Sequence, residues 1–145
     1  MKEKLLISAC LLGVPCRYDG GSKPHPIAAR LAEEYELIPV CPETLGGLPT
    51  PREPAELRDG RAVTRDGGDR TDAYRLGAER TLAIAAENGV TRAILKERSP
   101  SCGRGLIHDG TFGGGMTRGD GITAALLLEN GITVLGESEA EALLK

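Results

Sequence analysis

Four short apolar segments alternate with helical patterns along this chain, and this alternation limits the possible folds more than any other feature. The segments KLLISACL (4–11), ELIPVC (36–41), VTRAILKE (90–97) and ITVLG (132–136) have the length and residue types of buried strands. Strands that alternate with helices form a parallel sheet through right-handed crossovers. The sequence therefore predicts one α/β domain over residues 1–145. We expect a Rossmann-like three-layer fold with a mostly parallel sheet of about four strands.

Helices are predicted between these strands from apolar residues that repeat at i, i+4 spacing. They cover residues 26–35, 71–88 and 120–128, and a short last helix opens at Ser138. Thr71 and Asp120 are the predicted N-caps of the second and third helices. An Asn-Gly pair ends each of these two helices.

Two long segments interrupt the alternation. Residues 44–70 contain LRDGRAV, which is typical of a small hairpin around Asp59-Gly60, within a loop rich in proline and glycine. Residues 103–119 form a second Gly-rich loop. Long loops inside a small domain are more often functional than idle. Pro39 indicates that the second strand is not a fully paired central strand.

Composition argues against several classes of partner. Aromatic residues make up 3% of the chain, the net charge is −3, and no basic block is present. We therefore expect neither nucleic acid nor an anionic membrane surface as a partner, although a small thiolated base needs only a pocket. The apolar runs are too short to span a bilayer, and the N-terminus lacks the pattern of a signal peptide. We expect a cytoplasmic, bacterial protein whose cysteines do not form structural disulfides.

Three of the four cysteines follow predicted strands. Cys10 lies at the end of the first strand, Cys41 at the end of the second, and Cys102 a few residues beyond the third. In a parallel sheet these ends share one edge, and neighbouring strands are about 4.8 Å apart, so the three thiols can converge within roughly 10 Å. Ligands of open α/β sheets bind at this edge. The sequence thus predicts a shared site.

Converging thiolates favour a metal site, and two kinds remain open. Structural zinc usually takes four ligands, for which Cys16 or a histidine could supply the fourth, but C-x-x-C spacing is absent. An iron–sulfur cluster also takes thiolates, usually four. A cluster held by three cysteines leaves one iron open for Lewis-acid catalysis. The residues alone support a zinc site and an iron–sulfur cluster about equally.

Polar residues accompany the cysteines. Glu43 lies two residues after Cys41 and is a candidate general base. Ser99 and Ser101 precede Cys102 and are candidates for orienting a water or passing a proton, although serines there are also common turn residues. Several basic residues cluster around the same loops and can meet an anionic or carbonyl-rich substrate: Arg17, Arg52, Lys96, Arg98 and Arg104. His25 and His108 are isolated and are interpreted as loop residues.

Four successive motifs carry a resemblance to a known family. They are ISACLLGVPCRYDGG, PVCPETLGGLPTPREPAE, VTRDGGDRTDAY and ILKERSPSCG, and they occur in order over essentially the whole chain. Together they resemble the bacterial family called domain of unknown function 523, whose characterised relatives are thiouracil desulfidases. The resemblance implies a [4Fe–4S] cluster held by Cys10, Cys41 and Cys102, with Cys16 a less certain ligand. It also implies that Glu43 is catalytic and that the catalytic serine is Ser101 or Ser99, with Ser101 favoured.

The resemblance implies a chemistry as well. An open iron would bind and polarise a C=S group of a thiolated pyrimidine, Glu43 would deprotonate a water, and the sulfur would leave as hydrosulfide without net redox change. Three alternatives remain: a zinc or cluster protein without this activity, a thiol redox enzyme using Cys10 and Cys16, and a nucleotide-binding module using the Gly-rich loop. The lack of C-x-x-C disfavours the redox enzyme.

Overall fold

The computed structural model describes residues 2–144 and contains eight strands in this range. Four of them form the main sheet and four form two small hairpins. In chain order the strands are β1 (Glu3–Ser8), β2 (Tyr35–Val40), β3 (Ala55–Arg58), β4 (Arg61–Thr64), β5 (Arg92–Leu95), β6 (Leu106–His108), β7 (Met116–Arg118) and β8 (Thr133–Gly136).

Four α-helices and two 3-10 segments connect these strands within residues 2–144. None of these helices is long and apolar enough to cross a membrane. The helices are α1 (Ile27–Glu34), α2 (Pro42–Leu45), α3 (Thr71–Glu87) and α4 (Ile122–Glu129), and the 3-10 segments are Ala9–Leu12 and Glu137–Leu143.

The main sheet is parallel throughout and has the strand order β2-β1-β5-β8. The predicted α/β fold is therefore confirmed. Pro39 lies on β2, an edge strand, where its missing N–H does not interrupt a ladder on both sides. The order also makes β2, β1 and β5 direct neighbours, so the three strands that precede Cys41, Cys10 and Cys102 end side by side.

Each face of the sheet has its own apolar core because side chains alternate along a strand. Leu5, Ile7 and Ile94 pack with α1 and the last 3-10 segment on one face. Leu6, Ala93 and Leu95 pack with α3 and α4 on the other. These two cores complete the three layers predicted from the sequence.

The predicted helix caps are wrong: the Thr71 and Asp120 side chains bond elsewhere, and the last helix begins before Ser138. Thr71 is the first residue of α3, and its hydroxyl accepts the Ala62 N–H at 3.0 Å, which ties the helix to β4. Asp120 precedes α4 and accepts the Gly105 N–H at 2.7 Å. The last helix is a 3-10 segment that begins before Ser138, and the Ser138 N–H donates to Glu97.

Both long loops contain regular structure. The predicted hairpin is present as β3 and β4, with Asp59 and Gly60 both at positive φ in its turn. The Gly-rich loop contains a second antiparallel hairpin, β6 and β7, which the sequence analysis missed. Its strands have three residues each, too few to produce a periodic pattern.

Helix α2 is held against α3 by a pair of glycines. A Cβ on Gly77 would fall onto the Pro42 carbonyl, and one on Gly46 would fall onto the Ala73 carbonyl. The two helices therefore approach through bare backbone. Because α2 begins directly after Cys41 and contains Glu43, this contact sets the position of both residues.

We expect Gly77→Ala to destabilise the protein, although glycine to alanine in an open helix gains about 1 kcal/mol. The added methyl group must push α2 away, which we expect to lower the free energy of unfolding by about 1–3 kcal/mol. Urea denaturation measures this change. The control is Ala83→Gly at an exposed position of α3, with an expected loss of about 1 kcal/mol. A stabilised Gly77→Ala variant would contradict the close contact.

Candidate active site

A cavity of about 510 Å³ opens at the carboxyl ends of β1, β2 and β5. All four cysteines line it, and all four are free thiols. Cys10, Cys16 and Cys102 are buried, whereas Cys41 is partly exposed. The structure thus brings together the three cysteines predicted to share a site and adds Cys16 to the same wall.

Local backbone structure explains how the three predicted cysteines reach this cavity. Cys10 lies in the 3-10 segment directly after β1, which ends at Gly13 with φ of 95°. Cys41 is the N-cap residue of α2, in extended conformation between β2 and Pro42. Cys102 follows β5 in a turn held by the Ser99 hydroxyl, which accepts the Cys102 N–H at 3.0 Å. Each thiol is therefore placed by a short turn at a strand end.

Burial and neighbouring negative charges make it unfavourable to ionise the thiols of the cavity. Burial raises the pKa of the Cys102 thiol, and the negative charge of Glu43 raises it further. Burial also raises the pKa of Cys10 and of Cys16, and in both cases the neighbouring Cys41 adds to the effect. Thiolates in this cavity therefore need compensating positive charge, such as a metal centre provides.

Ser8 is a site residue that the sequence analysis did not identify. Its side chain is 3% exposed and its Oγ accepts the Lys96 N–H at 2.8 Å. Hydrogen bonding by Ser8 also lowers the pKa of Cys102, against the stronger effect of burial. The last residue of β1 thereby connects β5 to a thiol of the cavity.

Glu43 lies at the cavity wall and is held by two donors. Its Oε1 accepts a hydrogen bond from Tyr74 Oη at 2.8 Å and one from Arg52 Nε at 3.2 Å. Burial raises the pKa of Tyr74, and the charge of Glu43 raises it further, so the phenol stays protonated and donates. The carboxylate therefore has a defined orientation. Tyr74 was predicted only as an apolar position of the long helix, because its partner is 31 residues away.

Arg52 connects Glu43 to the loop that carries Cys16. The arginine side chain is 6% exposed and also donates to the Cys16 carbonyl at 3.0 Å, to the Pro49 carbonyl and to Thr50. A buried guanidinium is stable only when its donors are satisfied, and here they are used on several loop segments. Arg52 thus organises this side of the cavity.

The two candidate serines occupy different environments. Ser99 is partly exposed and lines the cavity, and its Oγ accepts the N–H groups of Ser101 and Cys102 at 3.0 Å each. Ser101 is fully buried, and its hydroxyl bonds with Thr123 at 2.8 Å at the start of α4. Of the two serines, Ser99 is therefore the one that borders the cavity.

Most of the basic residues that were predicted to cluster lie around the cavity. Arg17, Arg52, Lys96 and Arg98 line the cavity, and Lys96 also pairs with Glu137 at 2.8 Å. Arg104 lies in a neighbouring depression and is 3.5 Å from Asp120. His108, interpreted from sequence as an isolated loop residue, lies on β6 and lines the cavity. His25 lies near α1, where its Nδ1 accepts the Ile27 N–H at 3.2 Å.

Across residues 2–144, no three His, Cys, Asp or Glu side chains come close enough to hold a single ion. In an iron–sulfur cluster each thiolate binds its own iron.

These features define a class: an α/β protein with a thiol-lined cavity at the carboxyl edge of a parallel sheet, beside an oriented carboxylate. A family model described as 2-thiouracil desulfurase matches residues 5–139 of the chain. The chain belongs to this family, which is named for the removal of sulfur from 2-thiouracil. It therefore belongs to a family of C–S-cleaving enzymes.

Two individual proteins show the extent of the similarity. The first is YbbK of Bacillus subtilis (strain 168), described as an uncharacterized protein, which is 43% identical over 97% of this chain and 99% of its own length. The second is a solved structure of the [4Fe–4S]-dependent thiouracil desulfidase TudS (DUF523Vcz). It is 46% identical, covers 98% of each chain, and superposes with a TM-score of 0.91.

We expect Arg52→Met to lower the free energy of unfolding by about 3–5 kcal/mol, because it leaves the Glu43 carboxylate unpaired at a largely buried position. Urea denaturation tests this value. Arg30→Met is the matched control, because Arg30 pairs with Glu141 at side-chain exposures of 60% and 78%. Such an exposed pair contributes about 0–1 kcal/mol. Equal losses in the two variants would show that Arg52 does not organise the site.

Proposed function

We propose that this protein is a [4Fe–4S]-dependent desulfidase that hydrolyses the C–S bond of a thiolated pyrimidine such as thiouracil. The observation that carries the proposal is that Cys10, Cys41, Cys102 and Glu43 line one cavity. The likeness to TudS over the full chain supports the same reaction. The absence of structural disulfides among the four cysteines is consistent with action in the cytoplasm.

The donor set fits a cluster with three protein ligands. Cys10, Cys41 and Cys102 would hold it, each from the end of a different neighbouring strand. Burial raises the pKa of Cys10, and the positive charges of Lys96 and Arg17 offset only part of this rise, so the thiolate that a metal requires depends on the charge of the metal itself. When bound, such a cluster supplies an open Lewis-acid iron that can polarise a thiocarbonyl group. In this arrangement Cys16 remains an unligated thiol beside Cys41.

Glu43 acts as the general base in this proposal. Within residues 2–144 both of its side-chain hydrogen bonds reach Oε1, so Oε2 is the oxygen left to take a proton from water. Tyr74 and Arg52 hold the carboxyl group so that Oε2 has a fixed direction. A general base must lie within hydrogen-bonding reach of the proton that it removes, and this orientation supports that requirement.

Ser99 is the serine that the geometry supports for orienting the water. It borders the cavity, whereas Ser101 bonds with Thr123 behind the wall. Because the Ser99 Oγ accepts two backbone N–H groups, its own proton is directed away from them and can be donated to an oxygen in the cavity. This proposed assignment differs from the preference for Ser101 that the family resemblance implied.

The reaction balances without an electron donor or acceptor. Glu43 takes a proton from water, and the resulting hydroxide attacks the carbon that carries sulfur. A C–O bond forms, the C–S bond breaks, and the sulfur leaves as hydrosulfide while the proton is returned to the products. Thiouracil and water thus give uracil and hydrogen sulfide. Lys96, Arg17 and Arg98 at the cavity wall favour an anionic leaving group.

Replacing the ligand cysteines should remove the cluster. We expect anaerobically purified protein to contain about four irons per chain, and Cys10→Ala, Cys41→Ala and Cys102→Ala to lose most of them. Iron and acid-labile sulfide analysis measures this content. Cys16→Ala is the matched control and should retain its iron. Stoichiometric zinc in the anaerobic wild type would instead support the zinc alternative.

Replacing the groups that handle protons should stop the reaction and preserve the cluster. We expect Glu43→Gln to retain iron and to reduce sulfide release from 2- and 4-thiouracil by about 10²–10⁴-fold, the usual contribution of a general base. Ser99→Ala should reduce the rate more than Ser101→Ala. Full activity of Glu43→Gln would reject Glu43 as the base, and a greater loss in Ser101→Ala would restore the original preference.

A further inference from the structure

The Gly-rich segment 109–113 contributes one residue, Phe112, to the lining of the cavity. Phe112 lines the cavity together with Tyr18 and Tyr74. The chain has one phenylalanine and three tyrosines, so most of its aromatic side chains are concentrated here. A flat aromatic face suits a planar heterocycle, because bases stack on such rings whatever their substituents.

The backbone of this segment surrounds the carboxylate of Glu56. Its Oε1 accepts the Gly110 N–H at 3.0 Å and the Phe112 N–H at 3.1 Å. Consecutive turns that aim N–H groups at one point form a concave site for an anion. Glu56 is 8% exposed, and a buried carboxylate requires such partners. The proposed mechanism does not otherwise use this buried acid.

Strand β3 makes further contacts with the same segment. Arg58 Nε donates to the Gly110 carbonyl at 2.7 Å. Gly110 has φ of 90°, and a Cβ there would lie 2.8 Å from the Leu57 carbonyl oxygen. The segment therefore rests directly on β3, with Glu56 and Arg58 holding it from neighbouring positions of one strand.

Phe112 is held in a conformation that a free loop would avoid. Its φ is 60°, in the left-handed region that is costly for a residue other than glycine. The guanidinium groups of Arg58 and Arg65 lie 5.8 and 5.5 Å from the ring centroid, and Arg65 also donates to the Phe112 carbonyl at 3.4 Å. The hydrogen bond to Glu56 completes these restraints.

We infer that Glu56 is a positioning residue for substrate binding, which holds segment 109–113 so that the Phe112 ring meets the planar face of the thiolated base. The identity of the ligand rests on the proposed function, whereas the clamp itself is a property of the hydrogen bonds. Glu56 is not expected to take part in C–S cleavage.

Hydrogen exchange of the anaerobic holoprotein tests the clamp independently of activity. We expect Glu56→Ala to accelerate exchange in peptides covering residues 109–113 at least tenfold. Glu56→Gln retains an acceptor oxygen and should stay within about threefold of the wild type. The matched control is Glu53→Ala, which removes an exposed carboxylate three residues earlier in the chain, just before β3, and should leave exchange unchanged. Unchanged exchange in Glu56→Ala would overturn the clamp.

Steady-state kinetics with 2-thiouracil tests the positioning role. We expect Glu56→Ala to raise KM about tenfold, equivalent to about 1.4 kcal/mol of binding, with kcat and iron content nearly unchanged. Phe112→Leu should raise KM similarly. In the double variant the two effects should not add, because Glu56 acts through Phe112. Glu56→Gln should recover most of the wild-type KM.

The other possible outcomes also test the positioning role of Glu56. Additive effects, or a loss confined to kcat, would overturn the positioning role even where the exchange data support the clamp. If Glu56→Ala does not fold, Glu56→Asp, whose shorter side chain withdraws the acceptor from the Gly110 and Phe112 N–H groups, supplies the same cycle with Phe112→Leu. If the wild type releases no sulfide, the proposed function fails. The positioning role is then overturned with it, whereas the exchange data still decide the clamp alone.

Discussion

The site depends on one constraint, the parallel pairing of β1 with β2 on one side and with β5 on the other. Parallel neighbours end at the same edge, so the residues that follow them are brought together whatever their distance in sequence. Cys10, Cys41 and Cys102 are separated by tens of residues yet line one cavity. A single antiparallel strand among these three would send its cysteine to the opposite edge.

The two long loops supply further walls of the cavity that opens at the sheet edge. The loop after α2 supplies Arg52, which binds Glu43 and the Cys16 carbonyl, and continues into β3 with Glu56. Glu56 in turn binds the Gly-rich loop that follows β5. The walls of the cavity therefore support one another through charged groups with little exposure, each satisfied by backbone or side-chain partners. Such a network gives fixed geometry around thiols that the sheet alone would leave open to solvent.

Local patterns predicted the four strands of the main sheet, helices α1, α3 and α4, and the first hairpin, because each of these depends on periodicity or turn residues within a short window. Helix α2 was not predicted, since its four residues are too few to show a helical period. The second hairpin, β6 and β7, escaped prediction because three-residue strands carry no period. The caps at Thr71 and Asp120 were wrong for a related reason: each side chain found a partner across the fold, Ala62 and Gly105 respectively, which local propensity does not describe. Tyr74 and Ser8 were overlooked as site residues because their polar partners also lie far along the chain.

The sequence by itself determined the parallel α/β fold, the gathering of Cys10, Cys41 and Cys102 at one sheet edge, and the family resemblance. The first two follow from strand periodicity and from the position of each cysteine relative to its strand, whereas the resemblance rests on four sequence motifs. Only the tertiary structure decided which serine borders the cavity: Ser99 and Ser101 are chemically identical and two residues apart, but α4 supplies Thr123 as a partner to Ser101 alone. It also decided how Glu43 is oriented and what Glu56 holds. Such roles depend on which distant groups satisfy a buried polar atom, and that is settled only when the chain has packed.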